Sequence, residues 1–146
     1  MAVPELLKLA SLAIYQGYFN ATYCLKPLVT HDGISVRFRK SDFNHCAYES
    51  SKHDGYKDQF SPQRAERLGW IRAALQDPNL VLYAGWDKDK RRYFHYKRVT
   101  LMVDDFVVVI RLKSAIEATF VTCYVADDPE TKAKILSSPK WISPFI

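Results

Sequence analysis

The chain has 146 residues, 48% of them apolar and 25% charged, which fits one globular domain spanning residues 1–146 and excludes a disordered or low-complexity chain. Its formal net charge is +5, and the surplus lies mostly in the second half: residues 1–60 carry 7 Lys/Arg against 6 Asp/Glu, residues 61–146 carry 14 against 10. A basic surface favours polyanions, although solubility alone is an equally ordinary reason for it.

The three cysteines, Cys24, Cys46 and Cys123, are odd in number and widely spaced. They read as small buried hydrophobes in a reducing compartment, not as a disulfide framework. No run approaches the roughly 18 apolar residues of a membrane span. The short apolar stretch over 6–14 is interrupted by Lys8 and Ser11 and preceded by no basic region. The expectation is a cytoplasmic protein without a signal peptide or membrane partner.

In chain order, Pro4 suits a first helical turn, and Leu6, Leu9, Ala10 and Ala13 follow at near-helical spacing, predicting a helix over 4–18. After the Asp32-Gly33 turn signal, Ile34, Val36 and Phe38 alternate with polar residues as a short strand. Ser41 or Asp42 can cap a helix to about residue 48 that buries Phe43, Cys46 and Ala47. Residues 49–60, with Ser50-Ser51-Lys52-His53-Asp54-Gly55, read as a loop.

Ser61-Pro62 opens the clearest helix, with Leu68, Ile71 and Leu75 as its apolar stripe and Asp77-Pro78 as its stop. The pattern then turns to strands over 80–84, 91–99, 106–112 and 116–125, joined by short turns that imply antiparallel pairing. A short helix over 127–138 and a tail tied down by Trp141 and Phe145 complete an α+β chain. Helices are expected to pack on a roughly four-stranded antiparallel sheet, with 34–127 as the core, 1–33 as a helical extension and 128–146 as a terminal helix and tail.

Four places can carry chemistry. Residues 88–98 hold six Lys/Arg interleaved with Tyr93, Phe94, Tyr96 and His95. Strand alternation puts Arg92, Phe94, Tyr96 and Arg98 on one face, and Arg91, Tyr93, His95 and Lys97 on the other. Such a strand suits phosphates and stacked bases, or it is an edge guarded by charge. Arg64 lies on the inward stripe of its helix and needs an anion: a phosphate, or a carboxylate such as Asp127 or Glu117. His45 lies off the core face of its helix and can exchange protons, or is an ordinary surface histidine. If Val121, Cys123 and Val125 face the helices, Thr122 and Tyr124 project from the opposite sheet face, where two hydroxyls can bind a phosphate or simply meet solvent. No phosphate-binding glycine loop, HExxH, zinc-type pairing or GxSxG elbow occurs, and His31, His45, His53 and His95 show no ligand spacing, so neither a metal nor a cofactor is expected.

The order of Phe43-x-His45, Arg64-Ala65-Glu66-Arg67-Leu68-Gly69-Trp70-Ile71, Leu75-Gln76-Asp77-Pro78, the basic aromatic strand and Phe120-Val121-Thr122-Cys123-Tyr124 resembles the phage-type nucleases of the barnase/EndoU/colicin/RelE superfold, over roughly residues 34–127. The resemblance implies helices on a four-stranded antiparallel sheet and metal-independent cleavage of RNA to a 2′,3′-cyclic phosphate and a 5′-hydroxyl. Carried over, His45 is the general acid or base, Arg64 holds the phosphate, Lys97 stabilises the phosphorane, and Thr122 and Tyr124 contact the scissile phosphate. His95 is a second proton-transfer candidate, and Arg91, Arg92, Tyr93, His95, Tyr96 and Arg98 bind substrate.

The expected function is a cytoplasmic endoribonuclease, a toxin or phage-conflict effector acting on tRNA or another structured RNA, with an acidic inhibitor or antitoxin as protein partner. The alternative is a non-catalytic nucleic-acid or protein interaction module on the same scaffold. Convergence of His45, Arg64, Lys97, Thr122 and Tyr124 on one cleft separates the two.

Overall fold

The structure is a computed structural model describing residues 3–50, 52 and 57–145. It is α+β, with helices packed on a mostly antiparallel sheet. Much of the loop expected over 49–60, including Ser51, His53, Asp54 and Gly55, lies outside the described residues.

The first helix, α1, spans Leu12–Phe19 and not 4–18. Ser11 starts it, its hydroxyl accepting from the Ile14 amide. The preceding segment is extended because other groups satisfy its backbone. The Leu7 amide donates to the Glu66 carbonyl at 2.7 Å, the Tyr15 hydroxyl bridges the Leu7 carbonyl and the Leu9 amide, and the Trp70 indole donates to the Glu5 carbonyl. One π-turn, Asn20–Cys24, prolongs α1, and Tyr15, Phe19 and Tyr23 recur every fourth residue to enter the core.

Two short strands follow, β1 (Leu28–Val29) and β2 (Ser35–Arg37). A 3-10 turn, Lys40–Asp42, leads into α2 (Phe43–Ala47), which buries Phe43, Cys46 and Ala47 as expected. A two-stranded ribbon, β3 (Tyr48–Glu49) with β4 (Gln59–Phe60), brackets the following loop.

The helix expected after Ser61 is divided into α3 (Pro62–Ala65) and α4 (Leu68–Gln76). The Leu7 amide occupies the Glu66 carbonyl that an unbroken helix would offer to Trp70, whose amide donates to Arg67 instead. Leu68, Ile71 and Leu75 are buried with Trp70 and Ala74, and Asp77 ends α4 in an extended conformation before Pro78.

Four antiparallel strands then form a meander: β5 (Leu82–Asp87), β6 (Arg92–Leu101), β7 (Phe106–Leu112) and β8 (Glu117–Val125). The sheet nevertheless has six strands, in the order β1-β2-β8-β7-β6-β5, because β2 adds to β8 in parallel, Val36 opposite Ala118. A strand of three residues carries too little pattern to announce its neighbour.

The main core fills the space between α1, α2, α4 and one sheet face. A second, smaller cluster of Val99, Val107, Val109 and Ala126 lies on the other face, closed by Ile135 of α5 (Pro129–Leu136). Beyond α5 the tail runs along the β5 edge: the Ala84 amide donates to the Pro139 carbonyl, and the Trp141 amide to the Leu82 carbonyl. Among the described residues no helix is long and apolar enough to cross a membrane.

Candidate active site

The start of α3 fixes Arg64. Ser61 is buried; its hydroxyl accepts from the Arg64 amide, and its own amide donates to the Ala47 carbonyl, joining α3 to the end of α2. With Ala65 buried, Arg64 is left at the helix margin, and its Nη1 donates to the carbonyls of His45 and Tyr48, 3.2 Å from each. These carbonyls lie at the C-terminal end of α2, where a cation is favoured. Neither Asp127 nor Glu117, the carboxylates anticipated from sequence, makes an ion pair with Arg64.

Arg64 lines a polar cleft of about 370 Å³ with Lys57, Gln63, Glu49, Val125 and Asp127. The ribbon, α3 and the end of β8 build it. Partial burial, and then the positive charge of Arg64, hold the Lys57 amine below its ordinary value. Two cations and two carboxylates in one cleft can grip an anionic group and move a proton. Lys57 was missed from sequence because it sits in an aperiodic polar stretch. Its only local signal is its place just before the Phe60-Ser61-Pro62 helix start.

His45 is exposed on α2, and its main chain holds Arg64. Its neighbour Cys46 is buried against Cys123 of β8. Burial, and then Cys123, push the Cys46 thiol well up, consistent with a packing role and not a nucleophile.

The remaining expected catalytic residues lie elsewhere. Tyr124 pairs with Val107 and packs on the cluster beneath α5, where burial raises its hydroxyl pKa. Thr122 pairs with Val109 of the same cluster. Lys97, opposite Arg111 and two residues from Val99, faces that way by strand alternation. The five residues therefore do not share a cleft: His45 and Arg64 belong to the helical side, while Lys97, Thr122 and Tyr124 belong to the side carrying α5. The sheet between them is the physical barrier.

The basic aromatic strand also departs from simple alternation. Pairing with β5 jumps from Ala84 opposite Arg98 to Gly85 opposite Phe94, so His95–Lys97 bulge away from β5; the ladder with β7 stays regular from Lys97 to Leu101, but the expected two-face division does not run unbroken back to Arg92. Arg91, Arg92 and Tyr93 are exposed, as binding requires. His95 and Tyr96 are half-buried under the tail. The Trp141 indole donates to the His95 carbonyl at 2.6 Å, the Ile142 amide donates to His95 Nδ1, and Phe145 meets the Tyr96 ring edge-on at 5.2 Å.

Arg98 is 0% exposed. Its Nη1 pairs with Asp32 at 2.8 Å and its guanidinium lies 5.0 Å from the Trp141 ring, so it is a core ion-pair partner and not a surface contact for RNA. Among the described residues no group of three His, Cys, Asp or Glu is placed to hold a metal ion.

No family model, no curated protein and no solved structure matches this chain.

Proposed function

We propose that the protein is a metal-independent endoribonuclease of barnase/RelE-like arrangement whose reaction centre is the Arg64–Lys57 cleft. The observation that carries this reading is the pairing, in one polar cleft, of a main-chain-anchored arginine with a lysine whose proton is loosened. Internal cleavage needs only a cation on the non-bridging oxygens, a base and an acid. Arg64 holds the phosphate. A cleft carboxylate, Glu49 or Asp127, or the nearby His45 imidazole takes the proton from the 2′-hydroxyl as its oxygen bonds phosphorus. Protonated Lys57 then gives a proton to the departing 5′-oxygen. The products are a 2′,3′-cyclic phosphate and a 5′-hydroxyl. A lysine below its ordinary pKa is a better acid for that step than a solvated one.

The substrate in this reading is tRNA or another structured RNA in the cytoplasm. A toxin or phage-conflict role would pair the protein with an acidic inhibitor or antitoxin, whose charge complements the basic half.

The test is incubation with total tRNA in excess EDTA, comparing wild type with Lys57→Met, Arg64→Ala and Lys97→Ala. Cleavage with cyclic-phosphate ends, lowered on the order of 100-fold or more in the first two variants and little changed in the third, is the expected result. A second reading, a nucleic-acid interaction module without catalysis, is favoured by the placement of Lys97, Thr122 and Tyr124 across the sheet from Arg64. Salt-sensitive binding without cleavage by wild type would select it.

A further inference from the structure

A pocket unconnected with the Arg64 cleft opens between β5, β6 and α5. It measures about 550 Å³, within the range of about 300–1,000 Å³ typical of small-ligand sites. Its walls are mainly apolar and aromatic: Tyr83, Trp86, Tyr93, Val99 and Ile135, with Lys134 at the rim. Trp86 and Tyr93 stand edge-to-face at 5.1 Å and 78°, yet remain 49% and 37% exposed. A solvent-facing aromatic corner over a preformed hollow is a place to stack a flat ring.

The pocket is bordered by the β5–β6 turn. The Asp87 carboxylate accepts from the Asp89 and Lys90 amides and so shapes this turn, and Arg91 continues it at φ 50. Residues 87–92 carry Lys88, Lys90, Arg91 and Arg92 against Asp87 and Asp89, four positive charges less two negative, a net of +2. Arg91 and Arg92 are exposed and form no ion pair with any described residue. Among the described residues Lys134 is held only by an exposed, 3.8 Å pair with Glu130, too loose to fix it.

We propose that this pocket takes an unpaired base of single-stranded RNA, stacked against Trp86 and Tyr93, while the adjoining phosphates lie along Arg91, Arg92 and Lys134. Aromatic rings beside unpaired guanidinium groups are the chemistry that single-stranded nucleic acid asks for. Gly85 also lines the hollow, and the Lys97 side chain packs where a Gly85 Cβ would stand. The proposal rests on RNA being the ligand of the protein but not on cleavage.

The experiment is therefore a binding one, with a fluorescein-labelled, fully 2′-O-methylated 12-mer that internal attack cannot cut. Wild type is compared with Trp86→Ala, Trp86→Phe and Tyr93→Ala by anisotropy, and intrinsic tryptophan emission is followed in wild type and Trp86→Phe with an unlabelled 12-mer. Trp70 is buried and Trp141 half-buried, so Trp86 is the tryptophan open to a stacked base. We expect the 12-mer to quench wild-type emission, Trp86→Phe to abolish the quench while largely retaining affinity, and Trp86→Ala and Tyr93→Ala each to weaken binding by about 10-fold. An abasic 12-mer should bind wild type and Trp86→Ala alike.

Unchanged affinity in both alanine variants, or an unquenched emission on binding, overturns the proposal. Equal quenching by free AMP at the same concentration overturns the strand assignment and makes this a mononucleotide site. If tRNA is not cleaved while these results hold, the nuclease reading fails and the base site stands.

Discussion

Arg64 ends on the main chain of His45, its Nη1 3.2 Å from that carbonyl and equally close to the carbonyl of Tyr48. The guanidinium thus does two things: it caps α2, and it presents a fixed charge to the cleft that contains Lys57. Arg64→Lys keeps the charge but loses the bidentate planar fork. It should lower tRNA cleavage on the order of 100-fold while costing about 1 kcal/mol of stability. Single-turnover cleavage and urea unfolding measure the two separately. A variant that is less stable but fully active would reduce Arg64 to a cap.

The Lys57 shift has a defined sign. Its folded pKa lies below the unfolded value, so the folded state disfavours the charged amine. The resulting penalty is present at neutral pH and is relieved as pH rises through the folded and then the unfolded pKa. Lys57→Met should therefore raise the melting temperature slightly at pH 7, with the advantage shrinking on the alkaline side. Cleavage by wild type should fall as pH rises through the folded pKa, because the acid form is consumed. Lys57→Arg should move that alkaline limb upward. A limb unmoved by the substitution would take Lys57 out of proton transfer.

Much of this architecture is legible in the sequence where the pattern is long. The Val/Ile run of β7, the Leu68–Ile71–Leu75 stripe and the Ser61-Pro62 start all appear where their spacing puts them, because apolar burial and capping act locally. What escaped depends on distant partners. The segment before Ser11 has helical spacing but lies extended, because Glu66 and Trp70 meet its backbone groups from some 60 residues away. Arg98 reads as a surface cation in a basic run. Only its encounter with Asp32, 66 residues earlier, makes burial affordable. Thr122 and Tyr124 lie opposite Cys123 and Val125 as alternation predicts, but Val121, expected beside Cys123 on the helical face, packs on the smaller cluster because the β7–β8 register shifts between Val109 and Ile110. The distance of Thr122 and Tyr124 from Arg64 follows from that same alternation once the helices are known to cover the other side.

The Arg98–Asp32 pair makes an acid-stability prediction. Partial burial pushes the Asp32 carboxyl up, but the Thr30 hydroxyl and the Arg98 guanidinium more than reverse this and leave it below its ordinary value. A depressed carboxyl contributes stability that is complete above the unfolded pKa and is lost as pH falls through the folded one. Asp32→Asn should destabilise by about 3 kcal/mol at pH 7, since it strands a fully buried guanidinium whose Nε and Nη2 have no hydrogen-bond partner among the described residues. The difference from wild type should narrow below about pH 4, the ordinary range of a free aspartate. Chemical denaturation at pH 7 and pH 3 tests this. A difference that is constant with pH would mean that the asparagine harms packing and not charge.

Gly85 supplies the last prediction, at the join between the bulged strand and the aromatic pocket. A methyl group built on it would lie 2.6 Å from the Lys97 Cβ, a distance that real Cβ atoms do not tolerate. The contact is with the root of the lysine side chain and not its mobile end, so β5 and β6 must move apart to relieve it. Gly85→Ala should therefore cost about 1–3 kcal/mol. It should also shift the Trp86–Tyr93 corner, because those two residues form the cross-strand pair next to Gly85–Phe94, where the register shifts. Thermal unfolding gives the first quantity and the tryptophan quench by the 12-mer the second. The Arg64 cleft lies on the far side of the sheet, so per-molecule tRNA cleavage by the folded variant should stay near wild type. An alanine variant as stable as wild type would show that the bulge accommodates a side chain there, and that the glycine is not what holds the two strands in contact.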